Sequence, residues 1–176
     1  VMQAYLERIH RYNPLYNAIV SLVDDSELLR QAASADKALL KGEYWGWMHG
    51  MPHAIKDLAD AQGLVSTYGS PIFAENVATA DSLPVARIRA QGAIFIGKTN
   101  TSEFGAGSQT YNAVYGTTRN AYNPHLTAGG SSGGAAVGLA AELLPTADGS
   151  DMMGSLRNPA GFNNVIGFRP SQGRVP

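Results

Sequence analysis

Apolar positions along the chain fall into helical stripes separated by short buried runs. Met2, Leu6 and Ile9 recur at i, i+4 and i+7 with Val1 and Tyr5 beside them, which predicts an amphipathic helix ended by Asn13-Pro14. NAIVSLV (17–23) reads as a short strand. Asp24-Asp25-Ser26 supplies helix-start chemistry, and Leu28, Ala32, Ala35 and Leu39 form the stripe of a second helix stopped at Gly42. A glycine-broken aromatic loop, EYWGWMHGM (43–51), leads into a strand through Ala54-Ile55-Lys56. Residues 57–80 show no period and read as loop with small elements. Asp81, Ser82 and Pro84 open a helix carrying Val85 and Ile88 and closed by Gly92, and AIFIG (93–97) follows as a buried strand. Helix followed by buried strand, repeated, predicts an α/β fold with some parallel pairing.

Beyond Thr99 the polarity changes. Residues 99–127 are rich in Asn, Thr, Ser, Gly and Tyr, a loop composition, and a long ordered loop is often functional. Gly129 to Arg157 then reads GGSSGGAAVGLAAELLPTADGSDMMGSLR: a glycine-serine loop, an apolar helix, a short extended segment and a second serine loop. Ser131 and Ser155 lie 24 residues apart with one helix and one strand between them, so the chain doubles back and both reach the same end of a layer. Lys56, in GMPHAIKD, is the third candidate, 75 residues upstream of Ser131.

Each piece has a plainer reading. GGSSGG alone is as often a flexible linker. As a phosphate cradle it lacks the GK[ST] that places a lysine on the phosphates. It matches G-x-S-x-G twice, but a nucleophile elbow needs a preceding strand and a later histidine. AYNPHLTA (121–128) is a poor strand, and the last histidine is His125. Lys56 alone is an end-of-strand residue with its amine in water.

Taken together, GGSSGG, GSDMMGSLR-NPA and the lysine of G-M-P-H-A-I-K-D resemble the amidase signature family, over nearly the whole chain. The resemblance implies an α/β/α fold layered on a mixed central sheet, and an amidase acting on a small-molecule amide through a Ser–cis-Ser–Lys triad. Ser155 would be the nucleophile, Ser131 the relay after a cis Gly130–Ser131 bond, and Lys56 the base. Ser132 would orient Lys56, and the backbone N–H groups of Met152, Met153 and Gly154 would form the oxyanion hole. Asp151 and Arg157 match family positions, and an anchor for the loop is the role expected of them. The family has a small residue where this chain has Met153 and a Thr- or Ile-like one at Met152. Met153 is expected to fit the backbone and line the acyl side, since Gly154 keeps the turn's permissive residue. Two other uses of the family pattern stay open: the amide-hydrolysing subunit of a tRNA-dependent amidotransferase, which passes ammonia to a partner protein, and a degenerate non-catalytic member.

Composition narrows the rest. At 44% hydrophobic and 15% charged the chain is built to bury a core. Its net charge of −1 with no basic block argues against a nucleic-acid surface. The absence of cysteine excludes thiolate catalysis and disulfides. No run approaches the roughly 20 apolar residues of a membrane span. His10, His49, His53 and His125 show no ligand spacing, so no metal is expected, and no cofactor. A cytoplasmic location is expected, and a homo-oligomer is compatible. The chain opens at Val1 and stops at GFRPSQGRVP, and residues 1–176 are expected to be the N-terminal catalytic half of one longer domain.

Overall fold

In the computed structural model, which describes residues 1–175, Pro14 sits inside the first helix instead of ending it. Helix α1 spans Met2–Tyr16 and buries Met2, Leu6 and Ile9. A proline this close to the end forfeits little of the ladder, and Asn13 moves the stop downstream. Its carbonyl accepts from Asn17 N–H at 2.7 Å, with Asn17 in the left-handed region at φ 53°. The Asn13 side chain then ties down Ala18 and Ile19, where β1 (Ile19–Val20) begins. Helix α2 (Asp25–Leu40) starts as predicted, with the Asp24 carboxylate accepting from Ser26 N–H at 2.9 Å. Its stripe drifts at the end: Leu28, Ala35 and Ala38 are buried, whereas Leu39 is 56% exposed.

Apart from two 3-10 turns, Pro71–Phe73 and Glu103–Gly105, the remaining elements are β2 (Pro52–Lys56), α3 (Leu83–Ala90), β3 (Ile94–Thr99), the two-residue pair β4 (Tyr111–Asn112) and β5 (Gly116–Thr117), α4 (Gly133–Ala140) and α5 (Arg157–Phe162). Strands order as β1-β3-β2, with β2 parallel to β3 and β1 antiparallel to it, so the sheet is mixed. Both β2 and β3 are buried along their whole length. The extended segment expected between the two serine loops is there but forms no strand: residues 141–156 have no ladder partner.

Alternation along β2 and β3 separates two cores. Ala54, Ile94 and Ile96 pack with residues of α1, α2 and α4, including Leu6, Leu28 and Val137. Ile55 and Phe95 pack with Val85 of α3 on the opposite face. Helices thus cover both faces, the α/β/α layering that the sequence implies. A register shift between His53 and Ala54 leaves Ile55 opposite Lys98 and Lys56 opposite Thr99. Side chains alternate along a strand, so Lys56 follows Ala54 to the α4 side, while Lys98 shares the α3 side with Ile55. No helix is long and apolar enough to cross a membrane among the described residues.

Candidate active site

The glycine-serine loop is buried from Gly129 to Gly134 and packs too closely to act as a linker. A Cβ at Gly130 would meet the Gln109 backbone at 2.7 Å, and one at Gly134 would collide with the backbone of Asn100. These approaches set Ser131 and Ser132 at the N-terminus of α4, directly over the end of β2. The Gly130–Ser131 peptide is cis. Thr110 Oγ1 donates to Gly129 C=O at 2.8 Å and accepts from Gly133 N–H at 2.9 Å, bracing the loop from both sides.

Lys56 ends β2 with its side chain 1% exposed. Its Nζ donates to three hydroxyls: Ser131 Oγ at 2.8 Å, Ser132 Oγ at 2.7 Å and Ser150 Oγ at 2.9 Å. No carboxylate pairs with Nζ among the described residues. Burial without an ion-pair partner lowers its pKa from 10.5 to about 7, against the pull of Asp148 and Asp151 toward the cation. That corresponds to roughly 5 kcal/mol disfavouring the protonated amine. A neutral amine keeps two N–H donors and gains a lone pair. Ser132 Oγ–H is directed to Ser150 C=O at 3.3 Å, so Ser132 accepts from Nζ, and the lone pair of the neutral amine is within reach of the Ser131 and Ser150 hydroxyls.

Ser155 comes alongside through its backbone, its carbonyl accepting from Ser132 N–H at 3.1 Å. It is half-buried, and no hydrogen bond joins its hydroxyl to that of Ser131 among the described residues. Asp151 holds the turn in front of it. Its carboxylate accepts from the N–H groups of Gly154 (2.7 Å), Leu156 (3.1 Å) and Arg157 (3.2 Å), and from the Arg157 guanidinium at 3.0 Å on both oxygens. The Arg157 hydrogen bonds, first of all, hold that carboxyl well below the usual carboxylate range. This is the anchor expected of the pair. Gly154 N–H, one of the three donors expected for an oxyanion, is engaged by Asp151 in this structure.

The N–H groups of Met152 and Met153 have no acceptor among the described residues, and both side chains are 87% exposed. The left-handed conformation in the turn falls on Gly154, at φ 117°, and Met153 is free of it. A methionine at 153 therefore needs no strained backbone, and its thioether side chain is exposed to solvent and does not line the cavity that reaches Lys56.

Two neighbours of Lys56 escaped the sequence reading. Ser150 lies one residue before Asp151 in GSDMMGSLR, and nothing in that spacing says that its hydroxyl reaches a lysine 94 residues away. Asp148 accepts from Lys56 N–H at 3.2 Å on both oxygens and from His53 Nε2 at 3.1 Å. His53 is thus a partnered core histidine, as its lack of ligand spacing implied. His125, exposed on a loop, plays no part at Ser131, and no strand precedes the loop, so the elbow geometry is absent. No group of three or more His, Cys, Asp or Glu side chains placed to hold a metal ion occurs among the described residues. A cavity of about 730 Å³ reaches Lys56 from the Ser132 and Ser150 side, but Ser131 and Ser155 are not on its wall.

Known proteins share this arrangement's framework. The profile of the Amidase family matches residues 1–176. The chain is 42% identical over its full length to an acylamidase of Rhodococcus erythropolis and covers 37% of that protein. It is 41% identical over 99% of its length to a glutamyl-tRNA(Gln) amidotransferase subunit of Thermosynechococcus vestitus, covering 36% of it. The crystal structure of a bacterial aryl acylamidase of the amidase signature enzymes superposes with a TM-score of 0.92 at 35% identity, over 99% of this chain and 36% of that one. The chain thus spans little more than a third of the length of these relatives. Matched from end to end by the family profile and carrying its fold, it belongs to the amidase signature family.

Proposed function

We propose that the protein hydrolyses a carbon–nitrogen amide bond through an acyl-enzyme on Ser155, with Ser131 and Lys56 as a proton relay, and that residues 1–176 are the catalytic half of one longer domain. The observation that carries this reading is Lys56: a buried amine with a pKa of about 7, 2.8 Å from the Ser131 hydroxyl and without a carboxylate partner. A serine hydroxyl attacks a carbonyl only when a base takes its proton, and a base near neutrality can both take and return it.

In this scheme Ser155 Oγ forms a bond to the amide carbon while its proton passes to Ser131 and the Ser131 proton passes to Lys56. The N–H groups of Met152 and Met153, which have no acceptor of their own among the described residues, stabilise the oxyanion in this reading. Lys56 then returns its proton through Ser131 to the leaving nitrogen as the C–N bond breaks. Water attacks the ester under the same relay and frees Ser155. Asp151 and Arg157 keep the turn in place, and Ser132 with Ser150 orients the amine. Active-site labelling of the full-length protein with a fluorophosphonate tests this, with the adduct expected on Ser155. An adduct on Ser131 or Ser132 would reverse the assignment of nucleophile and relay.

The sequence similarity to a glutamyl-tRNA(Gln) amidotransferase subunit, at 41% identity over 99% of the chain, favours a second use of the same chemistry. The amide would then be that of glutamine, and the ammonia would pass to a partner protein. Co-purification of a tight partner, with glutamine as the preferred amide, distinguishes this use from that of a free-standing amidase.

A further inference from the structure

The outer edge of β2 carries a carboxylate where a strand would carry a carbonyl. Asp57 N–H donates to Thr99 C=O of β3 at 3.1 Å, so the preceding N–H, that of Lys56, points to the opposite, unpaired edge. There it meets Asp148, both of whose oxygens lie 3.2 Å away. Asp148 Oδ1 is also 3.1 Å from His53 Nε2, and His53 Nδ1 lies 3.4 Å from Thr146 Oγ1. With Nε2 carrying the proton, the ring donates to Asp148 and accepts from Thr146, so His53 ties the segment 146–148 to β2. This segment leads directly through Gly149 to Ser150, one of the three hydroxyls on Lys56 Nζ.

We infer that Asp148, steadied by His53, is a positioning residue for Lys56: it docks the Ser150 segment on the β2 edge and its negative charge keeps the buried amine basic enough to accept a proton from Ser131. This inference rests on the relay proposed above. Burial alone drives an unpaired lysine far toward the neutral form, and a base that has become too weak cannot take a serine proton. Asp148 opposes that drift most strongly among the charged groups around Lys56, ahead of Asp151.

The other charged groups nearby are already committed. Asp151 is paired with Arg157 and approached by Arg169, which offsets its field. Lys98 and Asp57, from β3 and the end of β2, pair with one another on the far face of the sheet. Helix α4, packed over Lys56, is GGAAVGLA and has no titratable side chain. Asp148 is therefore the carboxylate without a cationic side-chain partner of the Arg or Lys type within this group, and its charge is the one left to act on the amine.

The test is the titration of Lys56 in the full-length protein, read from its ¹³Cε resonance and assigned by loss of the signal in Lys56→Met. Asp148→Asn keeps an acceptor for Lys56 N–H but removes the charge, and should lower the midpoint from about 7 by about one pH unit. The acidic limb of the rate of Ser155 phosphonylation should move with it. Asp148→Glu, which restores the charge, should return both toward wild type. Asp148→Ser, also neutral, gives the same reading if the asparagine variant does not fold. An unchanged midpoint in the neutral variants, or an equal shift in Asp148→Glu, overturns the inference. Failure of the wild-type protein to be phosphonylated would instead overturn the relay, leaving the resonance to report on Asp148 independently.

Discussion

Two lysines sit on adjacent positions of neighbouring strands, both inaccessible, and the chain uses them in opposite ways. Lys98 on β3 is 0% exposed and Lys56 on β2 is 1% exposed. Lys98 Nζ lies 3.4 Å from Asp57 and donates to Ala59 C=O at 2.6 Å and Ser66 Oγ at 2.8 Å. Burial pushes its pKa down and the Asp57 carboxylate opposes that, as Lys98 opposes the burial-driven rise of Asp57. Lys56 has three hydroxyls and no carboxylate on its amine. Burial makes a lysine costly; the partner decides whether the result is a cross-link or a base. A carboxylate opposes the loss of the proton from the first, which braces the α3 face, whereas the second, with only neutral hydroxyls on its amine, has its pKa lowered to about 7.

The largest test of this contrast is at Lys56. Lys56→Arg retains a cation but cannot give up its proton, so turnover should fall by about 10²–10⁴-fold, with the fold retained by circular dichroism. In the wild type the rate should fall as pH drops through about 7, because the base form exists above that value and the protonated form below it. Wild-type turnover in the arginine variant would remove Lys56 from the chemistry.

At Lys98 the readout changes from rate to stability. Lys98→Met leaves Asp57 buried without its cation and should lower the unfolding free energy by about 3–5 kcal/mol, measured by chemical denaturation. Adding Asp57→Asn removes the stranded charge while keeping an acceptor for Thr67 N–H, and should recover part of that loss. A stable single variant would mean that Lys98 carries no structural load. The smallest pair of effects comes from deleting one hydroxyl beside each amine. Ser66→Ala should cost about 1 kcal/mol of stability with little change in rate per folded molecule. Ser150→Ala should instead lower kcat by about tenfold at equal KM, since misplacing the base by a fraction of an ångström acts on the transition state. If both changes act on stability alone, the two lysines differ less than their partners suggest.

Much of the positioning was readable from periodicity and motif, and what escaped did so for physical reasons. Met2, Leu6 and Ile9 announce α1 because a helix repeats its buried face every 3.6 residues. Pro14 misleads because Asn13, through side-chain bonds to residues five and six ahead, carries the helix past it. AIFIG marks β3, but the strand continues through Lys98 and Thr99. Polar residues buried by long-range partners look like loop, so Lys98 was invisible as a core residue. Lys56, Ser131 and the Asp151–Arg157 anchor were legible because motif spacing records them. Asp148, Ser150 and the use of Gly154 N–H by Asp151 depend on contacts between distant segments, which no local pattern encodes. The extended segment after α4 looked like a strand because it runs along a sheet edge; a side-chain carboxylate takes the place of its ladder there.

The close approaches at the glycine-serine loop also say something about which sequences this site can reach. Gly130 abuts Gln109, Gly133 abuts Thr110 and Gly134 abuts Asn100, each with no space for a methyl group. A library randomising GGSSGG would therefore lose nearly every member at those three positions, whatever chemistry was selected for. An inserted residue would fare worse, since it would slide Ser131 off the lysine and drive the next side chain into the end of β3. Diversity in such a scaffold has to enter through Met152 and Met153, whose side chains face open solvent beside Ser155. The hexapeptide that reads as the most pliable part of the chain is the part where variation is least tolerated, and the bulky pair beside it is where a new specificity could be written.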